Sequence, residues 1–152
     1  MAGSRKQEIE LKLPVMLEAA THFKNYRILV ACAPNLDKSY YEKYKTDGVE
    51  FVQGLTYSVL NHASIAIVTS GTATLETALF NVPQVVCYKS SSVSYWIARM
   101  LVKIKYISLV NLILNKNAVK ELIQGECSVE NIVKELKLIE EGQTGRNEMM
   151  QS

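Results

Sequence analysis

Apolar residues recur at helical spacing through Ile9, Leu13, Met16, Leu17 and Ala20, which predicts a helix over 4–23. Ser4 is placed to cap it, with Gln7 three positions on as a capping box requires, and Pro14 predicts a kink in mid-helix. The run RILVACA (27–33), stopped by Pro34, reads as a buried strand, and DKSYYEKYKT (37–46) as a polar helix ending near Asp47-Gly48. A short strand at 49–52, a helix at 56–63 and the strand IAIVT (65–69) follow. The alternation continues with a helix at 72–80, a break at Pro83, the strand QVVCYK (84–89) and a helix at 94–103. Residues 106–110 read as extended, and 117–124 and 128–141 as two further helices. The last stretch, 142–152, lacks a periodic apolar face and is expected to be loose or partner-dependent.

Strands alternating with helices predict an α/β domain, a Rossmann-like parallel sheet with helices on both faces. Such a domain usually opens on a strand, yet only Met1 and Ala2 precede the first helical pattern. The first strand is therefore expected to be missing, as though the chain were cut from something longer. A sheet left with that edge or slot exposed is expected to be marginally stable or to self-associate, with a homodimer as one outcome.

Parallel sheets bind ligands at the carboxyl ends of their strands, beside helix N-termini. TSGTATLE (69–76) sits where the strand at 65–69 meets the helix at 72–80. The first amides of a helix lack intrahelical partners and carry partial positive charge, so they suit an anion. Gly71 allows close backbone approach, while Ser70, Thr72 and Thr74 offer hydroxyl donors to phosphate or pyrophosphate. Glu76 lies one turn beyond Thr72 and would repel phosphate there, but it can accept a pair of sugar hydroxyls. The same residues also suit plain helix capping, and spacing alone does not separate the two readings. Neither GxxxxGK[ST] nor GxGxxG is present. Gly3, Ser4 and Arg5 form a second loop entering a helix, where Arg5 can pair with phosphate or simply be exposed. Both loops would open at the same edge of the sheet.

Composition narrows the partners. A net charge of +2 gives no general attraction to nucleic acid. The polar, charged start is not a secretory signal, and no apolar run approaches the ~20 residues of a membrane span. Cys32, Cys87 and Cys127 are odd in number and widely spaced, which reads as reduced, mostly buried thiols in a cytoplasmic protein. His22 and His62 lack neighbours at ligand spacing, so no metal is expected, and no other cofactor is implied. Lys89 can meet phosphate or merely be exposed. Over 94–114, Tyr95, Trp96, Met100 and Leu101 alternate with Arg99, Lys103 and Lys105, a pattern open to contact with an anionic bilayer or to packing on the sheet.

SGTATLETALFNVPQVVCYKSS, followed by YWIARMLVKIKYISLVNLIL and preceded by GSRKQEIELKLPVMLEAA, resembles the lipid-A-disaccharide synthase family from Gly3 to about Leu138. The resemblance implies the second half of a two-domain GT-B glycosyltransferase, with residues 1–141 as the donor nucleotide-sugar domain. That family transfers diacylglucosamine from UDP to diacylglucosamine 1-phosphate, with inversion, forming a β-1,6 bond without a metal. By the match, Gly3, Ser4 and Arg5 stand near the nucleotide, Ser70, Gly71, Thr72 and Thr74 face the diphosphate, and Glu76 meets the ribose. Asn111 falls in the family's S-L-x-N segment, and Glu121 with Gln124 in its E-x-x-Q segment, both near the cleft. Lys120 stands where proline is common in the family. The acceptor domain and the general base are implied to lie outside this chain, leaving it inactive alone and placed at the inner face of the inner membrane. A separate nucleotide-sugar-binding subunit, or a non-catalytic α/β domain, would fit the same residues.

Overall fold

The structure, a computed structural model, describes residues 1–90 and 105–151. In chain order the elements are α1 (Lys6–Thr21), β1 (Ile28–Ala31), a 3-10 helix (Lys38–Tyr44), β2 (Val49–Val52), α2 (Thr56–His62), β3 (Ala66–Thr69), α3 (Thr72–Leu79) and β4 (Gln84–Tyr88). They continue with α4 (Leu109–Leu114), β5 (Lys120–Ile123), a second 3-10 turn (Gln124–Glu126), α5 (Val129–Leu138) and α6 (Thr144–Met150). All strand pairs are parallel, with β1 beside β2 and β3-β4-β5 forming a second sheet. The α/β, Rossmann-like class expected from the alternation is thus present, but as two open sheets in place of one. The free edges of β1 and β3 do not meet. Between them lies Met1, whose amine donates to the Ile67 carbonyl at 2.9 Å and whose carbonyl accepts from Thr69 N–H at 2.9 Å.

β4 shows how the layers form. Its residues Gln84–Cys87 are all buried, so successive side chains must fill both faces of the sheet. Val85 and Cys87 join a core with Ile9, Leu13 and Met16 of α1 and Ile132 and Leu136 of α5. Val86 points the other way, with Val68, Val110 and Val119. The apolar stripe of α1 buries as its spacing predicts, and Pro14 lies on the exposed face without ending the helix. The N-cap of α1 is Arg5 and no side chain caps it, so the expected Ser4–Gln7 box does not form.

Several other expectations change. The 37–46 segment is a 3-10 helix, capped by Asp37 accepting from Ser39 N–H at 2.8 Å. The run expected to be extended over 106–110 ends inside a helix, Leu109–Leu114, and 120–123 are strand where a helix was expected over 117–124. Helix-favouring Lys120-Glu121-Leu122 yields to the backbone ladder with β4, in which Val86 stands opposite Glu121. The expected loose tail folds as α6. Arg146 donates to the Ser64 carbonyl at 2.7 Å, and Met149 packs on both cores. The predicted helix at 94–103 lies outside the described residues.

A polar hub ties α4 to β5. Asn111 is fully buried, and its side-chain amide clamps Val119, accepting from the N–H at 2.9 Å and donating to the C=O at 2.8 Å. It also donates to Glu121 at 2.8 Å. Glu121 in turn accepts from Ile107 N–H, Ser108 N–H and the Ser108 hydroxyl at 3.0, 2.9 and 2.7 Å, placing its carboxylate at the positive start of α4. All three cysteines are buried and free.

Two predictions follow from these burials. Asn111→Ala strands both backbone groups of Val119 and one Glu121 contact, so denaturant unfolding should show a loss of about 2–4 kcal/mol. The second concerns the Met1 amine, which burial lowers from 8.0 to about 6. Between those values the unfolded chain binds the extra proton and the folded chain does not, so stability rises with pH. Thermal unfolding of chain that retains Met1 should give a higher Tm at pH 8 than at pH 6. Nα-acetylation should reduce that difference.

Candidate functional site

At the carboxyl ends of β1 and β3 a cleft of about 700 Å³ opens. It is lined by Met1–Arg5 and Glu8, by Ala31–Pro34, by Gly54–Ser58, and by Thr69–Ala73 with Glu76. The two loops singled out in the sequence, 3–5 and 70–72, therefore face one another across a single space. Asn35 Nδ2 donates to the Ser4 carbonyl at 3.0 Å and ties the first loop to the segment after β1.

Local conformation explains the small residues. Gly71 is the N-cap of α3 with φ 121°, a left-handed region that a side chain would strain. Gly3 has φ 112°, and a Cβ there would also lie 2.6 Å from Glu8 Oε2. The helix starts at the cleft share a second feature: α1, α2 and α3 all lack a side-chain cap. Away from the cleft, α4 and α5 are capped by Ser108 and Ser128, which accept from Asn111 and Asn131 N–H, while α6 also lacks a side-chain cap. Open amides gathered at one cleft are chemically suited to a negatively charged guest.

The predicted residues divide in two. Gly3, Ser4, Arg5, Ser70, Gly71, Thr72 and Glu76 line the cleft, with Ser4, Arg5, Gly71 and Thr72 exposed and Glu76 half-buried. Thr74 is fully buried, and its hydroxyl donates to the Gly71 carbonyl at 2.8 Å. It shapes the turn from beneath and does not line the cleft. Asn111 and Glu121 belong to the α4–β5 hub, and Gln124 Oε1 accepts from Ser90 N–H at 3.1 Å on the far side of β4. None of these three lines the cleft.

Sequence reasoning missed three features. Gly54 (φ 74°) and the first turn of α2, including the exposed Tyr57 stacked on Phe80, complete one wall. Gly54 before a helical pattern was the available signal. Glu8 adds a carboxylate beside Gly3. Lys12, buried beneath the end of β3, donates from Nζ to Thr69 Oγ1, and burial lowers its pKa. Among the described residues no group of His, Cys, Asp and Glu side chains could hold a metal ion, and no helix is long and apolar enough to cross a membrane.

The chain matches the family model described as lipid-A-disaccharide synthetase over residues 1–152. It is 40% identical to a lipid-A-disaccharide synthase of Syntrophus aciditrophicus (strain SB), covering 99% of this chain and 41% of that protein. The corresponding protein of Anaeromyxobacter sp. (strain K) is 41% identical over 89% of this chain and 37% of its own length. That of Myxococcus xanthus (strain DK1622) is 35% identical over 99% and 41%. The chain thus spans about two fifths of the length of the curated relatives it matches. With a whole-length family match and relatives at this identity, the chain belongs to the lipid-A-disaccharide synthase family.

Proposed function

We propose that this chain is the donor-binding half of a lipid A disaccharide synthase and that the cleft holds the UDP portion of a UDP-diacylglucosamine. The observation that carries the reading is the pair of uncapped helix starts, α1 and α3, facing each other across one cleft with Arg5 and Glu76 at its walls. The diphosphate sits against the amides of residues 71–73 and the loop 3–5, with Arg5 supplying positive charge. Glu76, one turn further along α3, accepts the ribose hydroxyls, a contact that favours a nucleoside over inorganic pyrophosphate. Thr74 acts by holding the Gly71 turn. Asn111, Glu121 and Gln124 fix the β4–β5 side of the sheet.

In this reading the reaction is an inverting hexosyl transfer. The acceptor hydroxyl of diacylglucosamine 1-phosphate attacks the anomeric carbon, the bond to UDP breaks, and UDP leaves with its charge held by the helix starts. The general base and the acceptor site are supplied by a second domain, so this chain alone binds donor and turns over little. The exposed Leu112, Ile113 and Leu114 of α4 suit peripheral contact with the cytoplasmic face of the inner membrane, where acylated substrates reside.

Titration calorimetry with UDP tests this. Saturable binding is expected, weakened roughly 10–100-fold by Glu76→Gln, the size expected when a charged hydrogen-bond acceptor is lost. Gly71→Ala should weaken it as well, by straining the turn. Glu18→Gln, on the exposed face of α1, should leave it unchanged. Absence of UDP binding by a chain with a cooperative unfolding transition would contradict the proposal.

A further inference from the structure

Lys12 is 2% exposed, and its Nζ donates to Thr69 Oγ1. An ammonium carries three donors, and among the described residues this is its only hydrogen bond. The ion pairs among the described residues are Arg27–Glu50, Lys43–Glu10 and Lys45–Glu42, all on the surface. Lys12 is in none of them, so its charge is buried without a carboxylate in contact. Burial lowers its pKa, against the smaller opposing pull of Glu8, Cys127 and Cys87. A charge held in this way costs stability where it stands.

Its place in the fold shows what it faces. Thr69 ends β3, opposite Cys87 of β4, and Ser70 and Gly71 follow it along the cleft. Thr69 lines the cleft and Lys12 does not, so the lysine lies behind the threonine. Because the Thr69 oxygen accepts from Lys12, its hydroxyl hydrogen must point elsewhere, and it has no acceptor among the described residues. Lys12 sits about 10 Å along α1 from Arg5. One buried cation therefore links the helix behind the 3–5 loop to the strand end behind the 70–72 loop.

The charges of the cleft itself show what is lacking. Among the described residues its lining holds two carboxylates, Glu8 and Glu76, and one cationic side chain, Arg5. These side chains together oppose a diphosphate, and Arg5 is exposed, where water and salt screen it. A buried charge is screened far less.

We propose that Lys12 is a positioning residue for the diphosphate, holding Thr69 Oγ1 so that the hydroxyl donates into the cleft and supplying a second positive charge from behind it. The role rests on the UDP site proposed above. A bound anion in turn offsets the cost of burying the ammonium, so the lysine and the guest support each other.

Calorimetric titration with UDP and with uridine, which has the base and ribose but no phosphate, separates this role from a structural one. Three chains are compared: the unaltered chain, Lys12→Met, and Lys12→Met with Thr69→Val, which removes both hydrogen-bond partners together. The double variant is expected to unfold at a Tm equal to or above that of the unaltered chain. UDP affinity should fall roughly tenfold in both variants, with uridine affinity held within about twofold. In 31P spectra the β-phosphate of bound UDP should titrate at higher pH in Lys12→Met, because a cation favouring the dianion is gone. Unchanged UDP affinity in both variants would overturn the role. So would an equal loss for UDP and uridine, or a β-phosphate that titrates alike in the two chains. An unaltered chain that binds UDP no better than uridine, or binds neither, would overturn the diphosphate site itself and the role of Lys12 with it.

Discussion

Parallel pairing is the constraint on which the rest of this structure depends. A parallel pair cannot be closed by a tight turn, so every connection must cross over the sheet, and helices become the natural crossing elements. All strands then end at one edge, and the helices that follow them start there. The cleft lined by Gly3–Arg5, Gly54–Ser58 and Ser70–Ala73 is a direct product of that geometry. Its small residues are not ornaments of a loop. Gly3 and Gly71 occupy positive-φ positions from which α1 and α3 begin with their first amides open.

The buried polar groups divide by the end of the fold they serve. Toward α4, Asn111 and Glu121 form a closed network in which each group has partners, and such a network fixes one register between helix and strand. Toward the gap between the sheets, the burial is less well compensated. Lys12 has Thr69 as its hydrogen-bond partner, and burial lowers its pKa as it does that of the Met1 amine. The neighbouring thiols separate, with Cys127 lowered to about 7 by the hydrogen bond from Cys87 and Cys87 raised by the same pairing and by burial. The two sheets are joined by an apolar core that runs from Val30 and Cys32 to Val85 and Cys87, and by the bridge from Met1 to Ile67 and Thr69.

Much of this was legible in the residues. The alternation of apolar runs with helical spacing located β1 through β4 and α1 through α3 to within a few residues, because each is strongly patterned and most are bounded by Gly or Pro. β5 was not legible. Lys120-Glu121-Leu122 has helical propensity, and only the ladder to β4 makes it a strand. α6 was hidden for a related reason: its fit depends on Arg146 reaching Ser64 and on Met149 entering the cores, contacts that cross more than 60 residues of sequence. Of the site, the residues with backbone reasons to be small were visible, as was Glu76. Thr74 was read as a donor to ligand although its hydroxyl closes on Gly71. Glu8 escaped because nothing in its neighbours distinguishes it from a surface residue, and the wall with Tyr57 was signalled by Gly54 alone.

The proposed hold of a nucleoside diphosphate between the open starts of α1 and α3 is tested residue by residue by the amide chemical shifts of isotopically labelled chain as UDP is added. The largest saturable shifts are expected on Gly71, Thr72 and Ala73, with a second set on Ser4 and Arg5, all following one binding curve. Saturable shifts centred elsewhere, such as on α5 and α6, with the 3–5 and 70–73 amides unmoved, would contradict it.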